Sequence, residues 1–516
     1  MKNLLMIGAS SIAMLAIAPA SARVETPAAT VNNASTIKQD GTRGGVPVAQ
    51  SGTSATSTVN QGGDRNSARV TQSGAGAKST VTQDDAVGSD DDNRATVVQS
   101  DNSTSTVSQL SDGNTARVSQ RGGTGKASTI TQNGLGGNSA AVDQDGSDHY
   151  SSISQTGSLG QVSVGQTGND NDSRVTQTGI GSLAIVNQSN GSNDSVVNQS
   201  GLGLNYSTVR QSGVGNRSGI DQGGTLNEVD DGGDASVRGV TQSGNRNQSD
   251  IRQRGGNHEA SVLQSGDDNR SDIDQGAGAS TDHTASVIQG GDRNIADVDQ
   301  AGRNENAEIN QIGDANFAKV DQGGLLGANH DARVTQGGDN NRTTVLQRGI
   351  DGDATVNQGG DNNRANIDQG RDGTLFSNNG RGAHQASTIL QSGDGNKAET
   401  IQRGQNQYAF IDQIGSGNAG FVTGHTNGAK IEQGGDTGSS HWARITQRGD
   451  GNDALVKQTG FDQTATLVQD GDANSSIVTQ SGSANIATVS QFTDGNTSNV
   501  LQTGTNAVAT VTQGGN

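Results

Sequence analysis

The stretch QGGDRNSARVTQ, residues 61–72, decides the fold, because its pattern recurs along almost the whole chain. Each unit ends in Gln, and the residue two before that Gln is Val or Ile in 38 of the 40 units that align. Of the 39 gaps between these anchor glutamines, 28 are 11 residues long. A short unit repeated at one period is typical of stacked supersecondary structures, so the period predicts a repeat architecture.

The residues before each anchor Gln have the pattern of a β-strand. The anchor and the residues two, four and six before it fall on one face of a strand, because side chains alternate with period two. These positions hold Gln, then Val or Ile, then Ala or Ser, then frequently Asn, whereas polar residues such as Arg, Thr and Asp lie between them. Gly, Asp and Asn, which tolerate the positive φ of tight turns, follow the anchor. The unit is therefore predicted to be a strand of about six residues and a turn, not a helix.

The position four before the anchor indicates how many strands form one coil. From Ser57 to Ser195, serine alternates there with a nonpolar residue, beginning with Ser57, Ala68 and Ser79. The true period is therefore two units, or about 22 residues. The sequence predicts an all-β fold, a parallel β-solenoid (β-helix) with two strands per coil, in which like side chains stack as they do in amyloid.

Stacked Asn and Gln side chains are expected to form amide ladders, which satisfy buried amides that would otherwise cost about 1–3 kcal/mol each. The apolar side chains are expected to close a thin core between two sheets. The predicted ladder positions include Asn66, Gln72, Asn171, Gln177, Asn216, Gln222, Asn294, Gln300, Asn474, Gln480, Asn496 and Gln502. The predicted core positions include Ala68, Val70, Val175, Val298, Ile367 and Val478.

The first 22 residues have the features of a secretion signal peptide. Lys2 precedes an apolar stretch from Leu4 to Ala18, and Ala20-Ser21-Ala22 fits a cleavage site that would leave Arg23 as the first residue. A transmembrane anchor is the alternative, but the apolar stretch is short for a bilayer span. The predicted organisation is a signal peptide over 1–22, a short unrepeated leader over 23–32 and a repeat domain over 33–516.

Composition excludes several other classes of protein. Only 28% of residues are hydrophobic and 2% aromatic, too few for an ordinary globular core, yet the strict repeat argues against disorder. The chain has no cysteine, so disulfides and thiolate metal sites are excluded. Its net charge of −19 disfavours nucleic acid as a partner, and no cofactor is expected.

The pattern Gln-x-Gly-x-x-Asn-x-Ala/Ser-x-Val-x-Gln, found in residues 61–72 and 469–480, resembles the curlin repeat of curli amyloid subunits. The likeness runs from about Thr30 to Gln513. It implies a secreted bacterial subunit that crosses an outer-membrane pore unfolded and then polymerises with itself, started by a nucleator. The product would be a curli-like functional amyloid, an extracellular fibre on the cell surface that scaffolds biofilm matrix and adheres to host or matrix surfaces. The resemblance also implies that the motif amides, here Asn66, Gln72, Asn171, Gln177, Asn474 and Gln480, stabilise the fibre.

Two other functions are weighed against this one. A monomeric β-solenoid adhesin or ice-binding rod is the first, but ice binders carry flat Thr-x-Thr arrays, and the outward positions here mix Arg, Asp, Ser and Thr without such regularity. A β-helix enzyme such as a polysaccharide lyase is the second. Such enzymes interrupt the repeat with long catalytic loops and clustered charges, so no catalytic residue is predicted here.

Five of the seven histidines occupy the position six before the anchor, where Asn is commonest. They are interpreted as structural substitutes for Asn, with metal binding as the alternative. They lie far apart in sequence without a consistent acidic or imidazole partner, so no metal site is predicted. These residues are His149, His258, His283, His330 and His441.

Overall fold

A computed structural model describes residues 3–7, 12–16, 22–25, 32–40, 44–84, 92–229, 239–276, 281–323, 328–370, 383–417 and 429–514. Every regular element within these residues is a β-strand. The described part of the chain accordingly has no helix long and apolar enough to cross a membrane. The chain divides into two compact units, Met1–Gln253 and Arg254–Asn516.

The N-terminal unit contains the strands β1 (Asn3–Ile7), β2 (Ile12–Ala16), β3 (Ala22–Glu25), β4 (Ala34–Gln39), β5 (Val46–Gln50), β6 (Thr56–Gln61), β7 (Ser67–Gln72), β8 (Lys78–Gln83), β9 (Arg94–Gln99), β10 (Thr104–Gln109), β11 (Thr115–Arg121), β12 (Ala127–Gln132), β13 (Ser139–Ser147), β14 (Tyr150–Gln155), β15 (Gln161–Asn169), β16 (Asp172–Gln177), β17 (Leu183–Gly191), β18 (Asp194–Ser200), β19 (Tyr206–Val214), β20 (Arg217–Thr225), β21 (Glu228–Val229) and β22 (Val240–Ser243), and β23 (Gln248–Gly256) begins in it.

The C-terminal unit contains β24 (Glu259–Ser265), β25 (Arg270–Gln275), β26 (Thr284–Gly290), β27 (Ile295–Ala301), β28 (Asn306–Ile312), β29 (Phe317–Gly323), β30 (Asp331–Gly337), β31 (Arg342–Arg348), β32 (Ile350–Gly359), β33 (Arg364–Gly370), β34 (Ala383–Ser392), β35 (Lys397–Gln405), β36 (Tyr408–Ile414), β37 (Ala429–Ser439), β38 (Trp442–Arg448), β39 (Asp453–Phe461), β40 (Thr464–Asp470), β41 (Ser475–Ser483), β42 (Ile486–Gln491), β43 (Thr497–Thr505) and β44 (Val508–Gln513).

The repeat strands pair in parallel with the strand two units further on. In the N-terminal unit, sheet A consists of β4, β6, β8, β10, β12, β14, β16, β18 and β20. Sheet B consists of β5, β7, β9, β11, β13, β15, β17 and β19, followed by β21 and β22. Ser57 pairs with Ser79 and Ala68 with Ala95, as the alternation of Ser and Ala predicts. The two-strand coil of about 22 residues is confirmed.

The C-terminal unit has the same construction. Its sheet C consists of the odd-numbered strands from β25 to β43. Its sheet D consists of the even-numbered strands from β24 to β44. Like residues therefore stack on like in columns along each sheet.

Alternation of side chains builds the core. In β7 the side chains of Ala68, Val70 and Gln72 are 0% exposed, whereas Arg69 is exposed and Thr71 is half-buried. Each buried Val or Ile contributes roughly 1.5–3 kcal/mol relative to an exposed one. The core is thin, so its stability comes from repetition of this small contribution over many strands.

The turns require glycine at defined places. Gly291 has a φ of +90°, and a Cβ added to it would lie 2.4 Å from the carbonyl oxygen of Gly313 in the next coil. Neighbouring coils approach closely here, so only glycine fits without strain. The residue before the inward Asn commonly adopts a left-handed conformation too, as Arg293 and Asn340 do at φ of 59° and 57°.

The N-terminal segment contains three short strands. Strand β1 pairs antiparallel with β2, while β2 and β3 pair in parallel with β4 and β5. Of the predicted cleavage residues, Ala20 lies outside the described residues, and Ala22 and Arg23 begin β3. The signal peptide, the leader and their boundaries remain predictions.

Candidate functional site: stacked polar columns in the core

The anchor glutamines form continuous hydrogen-bonded columns. Within sheet A, for example, Gln155 Nε2 donates to Gln177 Oε1, and Gln177 Nε2 donates to Gln199 Oε1, both at 2.8 Å. The same bond joins successive anchors from Gln39 to Gln222 in sheet A and from Gln50 to Gln242 in sheet B. It also joins those from Gln275 to Gln502 in sheet C and from Gln264 to Gln513 in sheet D.

The second amide hydrogen of the anchor Gln ties the two sheets together. Gln72 Nε2, in sheet B, also donates to the carbonyl oxygen of Thr56 in sheet A at 3.1 Å. Gln83 Nε2, in sheet A, donates to the carbonyl oxygen of Ser67 in sheet B at 3.2 Å. Each amide thus bonds along its own column and across the core, so its burial is compensated in two directions.

The Asn columns are built differently from the predicted amide-on-amide ladder. Asn294 Oδ1 accepts the backbone N–H of Asn316 in the next coil at 2.9 Å. Asn294 Nδ2 donates to the carbonyl oxygens of Gly290 and Gly313 at 3.1 and 2.8 Å. The Asn294 side chain therefore closes its own turn and bonds the neighbouring backbone. Direct Asn–Asn bonds within these columns join Asn193 to Asn171 and Asn496 to Asn474, both at 3.0 Å.

The predicted site residues are distributed over several columns instead of meeting at one point. Their inward side chains are buried, except that Asn496 is half-buried. Sheet A holds Asn171, Val175, Gln177, Asn216 and Gln222; sheet B holds Asn66, Ala68, Val70 and Gln72; and sheet C holds Asn294, Val298, Gln300, Ile367, Asn474, Val478, Gln480, Asn496 and Gln502.

The sequence profile of the curlin associated repeat matches residues 244–276, 281–313, 302–338, 424–460, 443–471 and 462–492. The chain carries curlin repeats. No curated protein matches the chain. The strands before residue 244 have the same Gln columns as those in the matched segments, so the same coil geometry extends into the N-terminal unit.

The curlin repeats of sheet D contain a column of ionisable side chains that the sequence analysis missed. Four successive coils place His258, His283, Glu305 and His330 at the inward Asn position, each no more than 2% exposed. The rings of His258 and His283 stack with centroids 4.8 Å apart and planes 5° from parallel. Successive members are linked like the asparagines, because Glu305 Oε2 accepts the backbone N–H of His330 at 3.3 Å.

Burial sets the protonation of this column. Desolvation raises the pKa of the Glu305 carboxyl to about 8 and lowers the pKa of the His330 imidazole to about 4. The pKa of His283 also falls to about 4, through desolvation and the neighbouring His258. All three side chains are therefore neutral near pH 7. The described residues contain no group of three or more His, Cys, Asp or Glu placed to hold a metal ion.

The signal for this column was present in the sequence. Read along the chain, Asn269 stands between His258 and His283, and Asn294 stands between His283 and Glu305. Sorting the units by alternate strands would have brought the ionisable residues together. The sequence interpretation treated each histidine separately and gave Glu305 no role.

Proposed function

We propose that this protein is a secreted structural subunit that assembles with itself into curli-like extracellular fibres for biofilm matrix and surface attachment. The supporting observation is that paired strands of successive coils place an anchor Gln opposite an anchor Gln, with an inward Val or Ile commonly two residues before it. Curlin repeats are structural units, and no enzymatic role is proposed for this chain.

Self-assembly follows because the same contacts repeat from each coil to the next along the columns. A coil bonds its neighbour through parallel backbone pairing, through Gln–Gln bonds such as that from Gln458 to Gln480, and through Asn side chains such as Asn452 bonding the next backbone. A coil of a second molecule could make the same bonds at an exposed edge, since nothing in them depends on chain connectivity. Unpaired strand edges are templates for this kind of pairing.

Export and nucleation are part of the same proposal. The signal peptide over residues 1–22 directs the chain out of the cytoplasm, and a dedicated outer-membrane pore passes it unfolded. A nucleator at the cell surface supplies the first edge. The absence of cysteine from the sequence suits this route, since no disulfide has to form before the chain folds outside the cell.

Assembly of the purified chain from Arg23 onward tests the proposal. Thioflavin fluorescence should rise after a lag, preformed fibres should shorten that lag, and electron microscopy should show unbranched fibres. A chain that stays monomeric for days at high concentration, with or without added fragments of its own aggregates, would contradict the proposal and favour a monomeric adhesin.

A further inference from the structure

The first six strands of sheet A in the N-terminal unit carry a continuous column of hydroxyl side chains on their outward face. In chain order the outward residues read as an irregular mixture, because successive strands alternate between sheets A and B. Within sheet A alone, the column three residues before the anchor holds threonine in five successive strands and serine in the sixth. This column consists of Thr36, Thr58, Thr80, Thr106, Thr129 and Ser152.

Two flanking columns extend the array. The column one residue before the anchor contains Lys38, Asn60, Thr82, Ser108, Thr131 and Ser154, and the column five before it contains Ala34, Thr56, Lys78, Thr104, Ala127 and Tyr150. Nine of these eighteen outward residues are Thr, three are Ser and none is Asp or Glu, in a chain whose net charge is −19. We call these three columns, over β4, β6, β8, β10, β12 and β14, the threonine face.

The spacing of the threonine face is fixed by the backbone. Neighbouring coils are about 4.8 Å apart and alternate residues along a strand are roughly 6.6 Å apart, so the face measures about 24 by 13 Å. Pairing runs from β4 to β14 without a shift of register. Threonine is restricted in χ1, so its methyl and hydroxyl groups are held in place before any ligand arrives. Among the described residues, no Thr hydroxyl of this face bonds another protein group.

The other face of the same coils has the same strand register but no continuous column of threonine. Outward positions of sheet B carry Arg69, Arg94 and Arg117, and Asp143 follows in the next strand. Charged side chains of varied length break any regular spacing there. The core does not require this difference, since the outward residues of both sheets point away from it.

We infer that the threonine face binds the surface of ice. A continuous column of Thr side chains about 4.8 Å apart, with further hydroxyls beside it, can hold water at fixed positions on a neutral surface. Hydroxyls held at these positions replace lattice waters, while the methyl groups lose apolar exposure to liquid water. Binding of this kind acts on the single chain and does not rest on fibre formation.

The side chains on the face disfavour the other extended ligands. Sugar rings of a crystalline polysaccharide stack on aromatic platforms, and Tyr150, at one end, is the single aromatic residue among the eighteen. An anionic surface would need a dense basic patch, whereas the face holds only Lys38 and Lys78, and Lys38 pairs with Asp40 at 2.8 Å. A neutral, hydrogen-bonding lattice fits these residues best.

Partition into growing ice tests the inference. Ice is grown slowly from a dilute, monomeric solution of the full chain mixed with an inert protein, and the fraction of each protein in the ice is measured. The test variant is Thr106→Lys/Thr129→Lys on the threonine face. The matched control is Thr96→Lys/Thr115→Lys, which makes the same changes on the outward face of sheet B in neighbouring strands.

The chain should be enriched in ice relative to the inert protein. The test variant should lose at least about tenfold of this enrichment, because it adds two ammonium groups in the continuous Thr column itself, whereas Lys38 and Lys78 lie in the flanking columns, and these added charges cannot be desolvated against a neutral lattice. The control variant should partition like the original chain. Circular dichroism checks folding, and Thr106→Ala/Thr129→Ala, which adds neither bulk nor charge, replaces the test variant if that variant does not fold. Equal partition of the test and control variants, or binding to microcrystalline cellulose without enrichment in ice, would overturn the assignment.

Discussion

Nδ1 of the buried His283 imidazole accepts the backbone N–H of Glu305, 3.3 Å away in the next coil of sheet D. His330 Nδ1 accepts the backbone N–H of Gly352 in the same way at 3.1 Å. These bonds require an unprotonated Nδ1, so each ring is neutral with its proton on Nε2. A protonated ring would oppose an N–H to a backbone N–H and break the column.

Replacement of these histidines by Asn should make the stability of these coils less sensitive to acid. An unfolded His titrates near 6.5, and burial lowers the pKa of His283 and His330 to about 4. The folded state therefore binds fewer protons between these values, so stability is complete above about pH 6.5 and falls as the pH decreases toward 4. Hydrogen exchange of β26 and β30 should show protection falling over this interval in the original chain and falling less in His283→Asn/His330→Asn, in which the buried His258 still titrates. His384→Asn is the control, because His384 is exposed; an equal effect of the control would refute the explanation.

Glu305→Asn should stabilise the same coils, and more strongly as the pH rises. Burial raises the pKa of the Glu305 carboxyl from its ordinary 4.5 to about 8, so the folded protein keeps this carboxyl protonated where the unfolded chain ionises it. The folding stability is therefore lost as the pH rises from 4.5 to 8. The loss at pH 7 is at most about 3 kcal/mol. Asn supplies the same acceptor without a charge. Local exchange of β28 should slow in the variant at pH 7.5 and change little at pH 4.5. A gain that is equal at both pH values would show that packing, not ionisation, is responsible.

How far the sequence predicted the fold depends on the position concerned. Val70 and Gln72 define the strand, and the alternation of Ser57, Ala68 and Ser79 defines the coil, because both patterns are set by what must be buried in each unit. Neighbours across coils were harder to predict, since chain order interleaves the two sheets. The ionisable column and the threonine face both became visible only when each sheet was taken alone. The bonding of Asn294 to a backbone N–H depends on turn geometry, which the repeat pattern does not encode.

Three adjacent residues test which face of β7 is inward. Gln72→Ala removes the acceptor of Gln50 and the donor to Gln99, and should cost about 1–3 kcal/mol locally. Val70→Asp buries a charge and should cost roughly 4 kcal/mol or more. Thr71→Ala, on the outward face, should change stability by no more than about 0.5 kcal/mol.

Hydrogen exchange of the coil containing β7 gives the local values, because a change in one coil of a solenoid is partly absorbed in global unfolding. The order of assembly rates should follow the order of stabilities. Equal effects of Thr71→Ala and Val70→Asp would mean that the assigned face is inverted.

Two neighbouring glycines should differ sharply in their tolerance of a methyl group. Gly291→Ala places a Cβ against the carbonyl oxygen of Gly313 at a φ of +90°, and should cost at least about 1 kcal/mol. The Cβ added by Gly290→Ala would lie 3.6 Å from Ser265 Oγ, which is its nearest neighbour. This substitution should therefore be neutral or slightly stabilising. Hydrogen exchange of β26 and β28 in the two variants and in the original chain measures the difference. A cost for Gly290→Ala as large as that for Gly291→Ala would contradict the close approach of the turns.

Charge repulsion should slow assembly. The net charge is −19, and loss of Lys2 with the predicted signal leaves −20. Raising ionic strength from 0.01 to 0.15 M at pH 7 shortens the screening length from about 30 to about 8 Å, so the lag before fibre growth should shorten. Salt tests charge repulsion more directly than pH does, because acid also protonates the histidines of sheet D. A lag that does not change with salt would show that charge repulsion does not limit the rate of assembly.

Fibre diffraction from aligned fibres, combined with cryo-electron microscopy of the same sample, tests the central claim most directly. If the coils of one molecule continue the columns of the next, the diffraction will show strands lying across the fibre axis with a repeat of about 4.8 Å along it. The microscopy map will show two sheets with about 22 residues per coil. The Gln columns in that map will run from one molecule into the next without a break. Fibres made of monomers joined side by side, with the coil edges left unpaired, would contradict it.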